Sequence, residues 1–189
     1  ATTLTETAAQ IGEHFGVETL RVQSDLTKVD QVERIMKEVV DKWGRIDILG
    51  EPAPPRLPAW LCCRRLKQPA DVRSVNNAGG DIAAEYGKPD PNDGVFIKDE
   101  DVRAVLDRNL YSCILCCQHA GRVMIEGGEG GRIITLSSVD SLKVAEDGAR
   151  AIYSTAKAGV NHYTRMLAQQ MRDHNITVNC IAPCAQRLY

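Results

Sequence analysis

Residues 132–138 read RIITLSS, and this short stretch decides the fold class. Ile133, Ile134 and Leu136 make its middle almost wholly apolar, which is typical of a strand buried on both faces of a parallel sheet. Two hydroxyl side chains, Ser137 and Ser138, end the run. Ligands of such sheets bind beyond the carboxyl ends of the strands. We therefore expect a functional site at the end of this strand.

The sequence on either side alternates between helical and strand patterns. A second apolar strand, ITVNCIAP at 176–183, follows the helical pattern of 153–171. Upstream, strands are predicted at 18–22 and 46–49, and helices at 5–15, from Thr27 to Trp43 (with Thr27 as the N-cap and Asp30 three residues on), and at 99–124. This alternation predicts an α/β fold: a doubly wound, Rossmann-like parallel sheet in three layers and a single domain.

Bulk composition excludes several classes of protein. The chain has 189 residues, 43% of them hydrophobic, and a net charge of −2, as in an ordinary globular domain. A nearly neutral charge argues against a nucleic-acid surface, and the apolar runs are too short for a membrane span. Seven cysteines, an odd number, predict reduced thiols and a cytoplasmic protein.

The pentapeptide YSTAK, residues 153–157, places Tyr153 and Lys157 four residues apart on one face of a helix. A nearby ammonium group favours the phenolate and lowers a tyrosine pKa, which would let Tyr153 exchange a proton near neutral pH. Taken alone, the pair is more simply a solvated contact. The strand ends in RIITLSS and in VNNAG (75–79), and an amide among apolar neighbours at Asn109, favour a site instead.

Together these motifs resemble the short-chain dehydrogenase/reductase family. The resemblance covers most of the chain outside residues 50–74 and the last six residues, and its motifs occur in the family's order: Asp25 in SDLT, NNAG at 76–79, Asn109, Ser138, Tyr153 with Lys157, and ITVNCIAP.

The resemblance implies four catalytic residues. Tyr153 would be the general acid or base at the carbonyl or alcohol oxygen, and Lys157 would lower its pKa and bind the nicotinamide ribose. Ser138 would hold the substrate oxygen, and Asn109 would position a water in a proton relay.

The family also implies a binding site for NAD or NADP. Asn77, Ala78 and Gly79 would line its adenosine side, Asp25 would lie near the adenine, and Pro183 would precede the segment that covers the nicotinamide.

The implied activity is NAD(P)-dependent interconversion of a small alcohol and a ketone. We expect no nucleic-acid or membrane partner, and a homo-oligomer (dimer or tetramer) formed through the two long helices. A catalytically inactive relative that serves as a binding or regulatory module is the alternative.

Three departures from the family pattern are visible. The family's glycine-rich phosphate loop is not found, so the chain is expected to lack the first two strands and the C-terminal segment, and to fold poorly and bind no cofactor tightly by itself. The spacing from Ser138 to Tyr153, 15 residues, is longer than usual and predicts a surface loop.

The third departure is a proline-rich stretch, residues 50–74, within the strand that would otherwise read RIDILVNNAGG. Its ends can be encoded as a splice donor and acceptor, which predicts a retained intron; a disordered surface loop is the alternative.

Cysteines and histidines predict no metal site. Cys113, Cys116 and Cys117 lie on one predicted helix without a second ligand pair, so we interpret them as small buried hydrophobic residues. The four histidines show no ligand spacing.

Overall fold

The computed structural model describes residues 4–50, 62–65, 72–75, 79–145 and 148–184, which form one five-stranded sheet packed against α-helices. The strands lie in the order β2-β3-β1-β4-β5, with the bounds β1 Ile48–Gly50, β2 Cys62–Arg65, β3 Val72–Val75, β4 Gly131–Leu136 and β5 Ile176–Ile181. The helices are α1 Leu4–Phe15, α2 Val29–Trp43, α3 Asp99–Leu106, α4 Ser112–Gly127 and α5 Ala151–Met171.

Parallel pairing dominates the sheet. β4 lies between β1 and β5 and is parallel to both, with Ile48 opposite Arg132 and Gly131 opposite Ile176. Ile133, at the centre of β4, is completely buried. The predicted α/β class, a Rossmann-like parallel sheet with helices, is confirmed.

Helix α2 buries the apolar face that its sequence spacing predicts. Val32, Ile35, Met36 and Val39 are all buried in the core. Gly44 ends the helix in the left-handed conformation at φ 81°, and its N–H donates to the Val40 carbonyl at 2.7 Å.

The start of α2 differs from the prediction. Lys28 is the N-cap residue and makes no side-chain cap bond, so Thr27 does not cap the helix. Instead the Asp25 carboxylate accepts hydrogen bonds from the Thr27 N–H at 3.0 Å and the Thr27 hydroxyl at 2.7 Å. An aspartate two residues upstream competes for the donors of this turn.

No strand forms at 18–22, where the sequence predicted one. The segment 17–25 is irregular, although Val22 and Leu26 are buried against the core. Among the described residues, no strand pairs with this segment, and a strand pattern without a neighbour has no ladder to join.

The predicted single helix at 99–124 is interrupted. A π-helical turn, Asp107–Tyr111, separates α3 from α4, and Asn109 lies at its centre. The Asn109 side chain donates to the Val105 carbonyl at 2.7 Å and so inserts into the helical hydrogen-bond ladder. Such π-turns often mark functional sites.

Part of the proline-rich stretch adds to the sheet. β2 and β3 are antiparallel, and β3 pairs in parallel with β1, with Ile48 opposite Arg73. Val75 therefore ends a strand beside β1 instead of continuing it. Residues 51–61, 66–71 and 76–78 lie outside the described residues.

The core lies between the sheet and helices α2, α4 and α5. Cys113, Cys116 and Cys117 are buried within it, as small hydrophobic residues would be. None of the described helices is both long and apolar enough to cross a membrane.

Candidate active site

Ser138 and Tyr153 meet just beyond the carboxyl end of β4. Ser138 is buried and begins a short 3₁₀ turn, Val139–Ser141, where its Oγ accepts from the Asp140 N–H at 3.2 Å. Tyr153 lies in the first turn of α5, and its side chain is near enough to Ser138 for that residue to lower its pKa. Two hydroxyl groups from different elements of the fold therefore lie close together.

Lys157 lies one turn further along α5, as the YSTAK spacing predicts. Its side chain is buried, and Nζ donates to the Leu136 carbonyl at 2.8 Å. Nζ is also 6.0 Å from the centre of the Tyr153 ring. The Lys157 carbonyl accepts from the Ser137 hydroxyl at 2.9 Å, so two bonds join α5 to the end of β4.

The pKa of Tyr153 is raised above its ordinary value, chiefly because burial disfavours the phenolate. The hydrogen bond from Ser138 and the positive charge of Arg150 act in the opposite direction, whereas the carboxylates of Asp140 and Asp81 add to the rise. The lowered pKa that the sequence predicted is not what this structure shows, because burial outweighs the favourable groups.

Asn109 joins the π-turn to the backbone that follows the NNAG motif. Its Oδ1 accepts from the Gly80 N–H at 2.9 Å, and its Nδ2 donates to the Gly80 carbonyl at 2.9 Å. Gly79 packs so closely that an added Cβ would lie 2.7 Å from Asn109 Oδ1 and 3.4 Å from Lys157 Nζ. Gly79, Asn109 and Lys157 are therefore in one cluster.

A second set of polar residues, which the sequence did not predict, surrounds Tyr153. Arg150 is ion-paired with Asp140 at 2.7 Å, and Asn92 donates to Asp81 at 2.6 Å. The Arg150 N–H donates to the Asn92 carbonyl at 3.1 Å. The sequence offered one signal: Asp140 lies two residues after Ser138, and Arg150 three before Tyr153.

A model of the family described as short chain dehydrogenase matches residues 1–187 of this chain. The chain belongs to the short chain dehydrogenase family. The Ser138–Tyr153–Lys157 arrangement is the part of the structure that the family motif predicted.

Individual relatives agree with this membership. Cyclohexanol dehydrogenase of Rhodococcus sp. (strain TK6) is 29% identical over 169 residues, which are 89% of this chain and 52% of that protein. The chain thus spans about half the length of the curated relatives it matches.

Solved structures share the fold. Acetoin dehydrogenase YohF from Salmonella typhimurium superposes with a TM-score of 0.69 at 24% identity, over 96% of this chain and 60% of that one. A structure of ElxO with NADP bound superposes with a TM-score of 0.63 at 23% identity, over 86% and 51% of the two chains.

The remaining residues predicted from the family motifs are more dispersed. Asp25 is exposed at the turn before α2, where it bonds to Thr27. Pro183 is close to the site, since its carbonyl accepts from the Val139 N–H at 3.0 Å. Asn77 and Ala78 lie outside the described residues.

Proposed function

We propose that these residues are the catalytic part of an NAD(P)-dependent oxidoreductase that interconverts an alcohol and a ketone. The observation that supports this most is the approach of Ser138 and Tyr153, with the buried Lys157 side chain beside them, at the carboxyl end of β4. Several relatives are named as dehydrogenases or reductases of such substrates, for example cyclohexanol dehydrogenase.

Tyr153 is the group that gives or takes the proton at the substrate oxygen. Because its pKa is raised, the phenol is protonated at neutral pH, which suits donation to a ketone oxygen during reduction. Ser138 lies beside the Tyr153 hydroxyl and binds the same substrate oxygen. There it stabilises the negative charge that develops on that oxygen. Oxidation of an alcohol needs the phenolate and is favoured at higher pH.

Lys157 and Asn109 support this site through their charge and their hydrogen bonds. Lys157 brings a positive charge into a buried position 6.0 Å from the Tyr153 ring, where it can stabilise the phenolate. The Asn109 side chain donates both amide hydrogens to the Val105 and Gly80 carbonyls, so Oδ1, which already accepts from the Gly80 N–H, is the one side-chain atom that can bind a relay water.

The residues fit the nicotinamide end of NAD or NADP. Lys157 and Tyr153 would bind the ribose, with Pro183 close by, and the cofactor would supply the hydride. Gly79, which the family motif assigns to the adenosine side, packs beside Lys157 instead. The 189-residue sequence contains no strand–glycine loop–helix unit for the pyrophosphate. We therefore propose that this polypeptide, assayed by itself, is inactive, and that the full-length protein uses NAD or NADP.

Turnover of NADH and NADPH with a panel of ketones and aldehydes tests both proposals. We expect consumption by the full-length protein without residues 50–74, and none by the 189-residue polypeptide. A full-length protein that is folded yet turns over no carbonyl would support the inactive binding module instead. Turnover by the polypeptide alone would contradict the proposed inactivity.

We also propose a homo-oligomer in the cytoplasm. The long helices leave large apolar side chains in solvent: Tyr111, just before α4, is 42% exposed, and Met166 on α5 is 52% exposed. Burial of these side chains against a second copy is the contact that this proposal requires.

A further inference from the structure

Arg150 connects three segments that converge on Tyr153. It is the N-cap residue of α5 and adopts the left-handed conformation at φ 62°, which is uncommon for a residue other than glycine. In this conformation its N–H donates to the Asn92 carbonyl at 3.1 Å, and its own carbonyl accepts from the Ser154 N–H at 2.9 Å. The backbone of Arg150 thus fixes the start of α5 against the loop that contains Asn92.

The Arg150 side chain reaches a third segment, the turn after β4. Its guanidinium donates to the Asp140 carboxylate at 2.7 Å. The Asp140 N–H in turn donates to Ser138 Oγ at 3.2 Å. A chain of contacts therefore runs from Arg150 through Asp140 to Ser138, and it closes the long loop between Ser138 and Tyr153.

We propose that the Arg150–Asp140 ion pair is a positioning pair, which holds Ser138 against Tyr153 and sets the proton equilibrium of Tyr153 by balanced charge. This inference rests on the proposed function for its effect on turnover. Its effect on the titration of Tyr153 does not depend on that function.

Charges act on Tyr153 from three segments: Asp140 in the turn after β4, Arg150 at the start of α5 and Asp81 in the loop after the NNAG motif. On α5 itself, Lys157 Nζ lies 6.0 Å from the centre of the Tyr153 ring. Asp140 favours the phenol and Arg150 the phenolate, so their effects on Tyr153 oppose each other. Removal of one member leaves the other uncompensated.

A purely structural ion pair would behave differently. The Arg150 side chain is 41% exposed and that of Asp140 is 18% exposed, so the pair contributes little to stability by itself. Loss of either partner from a structural pair would lower activity in the same way. If the two charges balance, loss of Asp140 and loss of Arg150 shift the Tyr153 pKa in opposite directions.

The experiment compares Asp140→Asn, Arg150→Gln and the double variant in the full-length protein. The Tyr153 pKa is followed by NMR of tyrosine labelled with ¹³C at Cζ, and Tyr153→Phe identifies the signal. In parallel, the pH profile of alcohol oxidation, which rises as Tyr153 ionises, is measured. Arg172→Gln is the matched control, since it breaks an exposed ion pair with Asp173 at the other end of α5.

We expect the Tyr153 pKa to fall by about half a unit or more in Asp140→Asn and to rise by a similar amount in Arg150→Gln. The double variant should lie between them, near the wild type, and Arg172→Gln should not shift. The rising limb of the pH profile should move with the NMR titration in each variant.

Single variants that shift the titration in the same direction, or not at all, would overturn the proposal. Opposite NMR shifts with an unmoved pH profile would retain the positioning pair and contradict the role of Tyr153 as the acid and base. Asp140→Asn keeps an acceptor for Arg150, so a folded sample is expected.

Discussion

Gly79 shows how much a single residue determines at this site. Its backbone has φ 149°, and the space beside it is filled by Asn109 and Lys157. A side chain there would push apart two groups that the site requires together. Glycine at the end of the NNAG motif is thus explained by close packing, without reference to a bound cofactor.

Replacing Gly79 by alanine should therefore lower the free energy of unfolding by about 2 kcal/mol, because a Cβ would lie 2.7 Å from Asn109 Oδ1. Gly87→Ala is the matched control, since Gly87 also has a positive φ (104°) but nothing within 4 Å of the added Cβ. Urea denaturation measures both. An equal loss in the two variants would show that backbone strain, and not crowding, makes the glycine necessary.

Residue spacing predicted which side chains meet but not their energetics. Tyr153 and Lys157 share a helical face, and Ser138 follows a strand, so their proximity follows from periodicity. The raised pKa of Tyr153 does not, because it comes from burial and from the carboxylates of Asp140 and Asp81. Arg150 was missed because its contacts join it to Asp140 and Asn92, which lie in other segments.

At the scale of elements, local patterns were reliable where packing and propensity agree. The apolar faces of α2 and α5 and the strands β4 and β5 follow the predicted spacing. The π-turn at 107–111 was not predictable, because it depends on an Asn109 amide that bonds to Gly80 on another segment. Residues 18–22 are of strand-forming types, but no strand within the described part of the chain pairs with them.

The stretch 50–74 is the element whose origin matters most. We propose that it is a retained intron product and not a native part of the sheet. The pairing of β3 with β1 leads to the opposite expectation, because a native hairpin of β2 and β3 would stabilise the sheet.

Deletion of residues 50–74 from the full-length protein distinguishes these possibilities. We expect Tm to rise by at least about 4 °C, which is roughly 1 kcal/mol or more for a domain of this size, because Leu49 and Val75 then continue one strand. Thermal unfolding followed by circular dichroism measures it. An unchanged or lower Tm would contradict the intron proposal and assign β2 and β3 a structural role.

For the molecule as a whole, alternation of helices and strands predicted the fold class, and the family motifs predicted a candidate site at the end of β4. The parallel order β1-β4-β5 brings the ends of β4 and β5 together, where Ser138 and Pro183 are joined through Val139. Neither the pairing of β3 with β1 nor the contact network around Arg150 could be read from one sequence, because both depend on partners in other segments of the chain.

The role of Tyr153 is the central claim of this account. Tyr153→Phe removes only the ionisable hydroxyl, so the fold should persist. Tyr86→Phe is the matched control, because Tyr86 is a strongly exposed tyrosine outside the site.

The decisive measurement is the rate of ketone reduction by the full-length Tyr153→Phe protein at saturating cofactor. We expect kcat to fall by at least about 10²-fold, the usual contribution of a general acid, while cofactor affinity and the activity of Tyr86→Phe remain close to the wild type. A Tyr153→Phe protein that retains activity within a few-fold of the wild type would contradict the account.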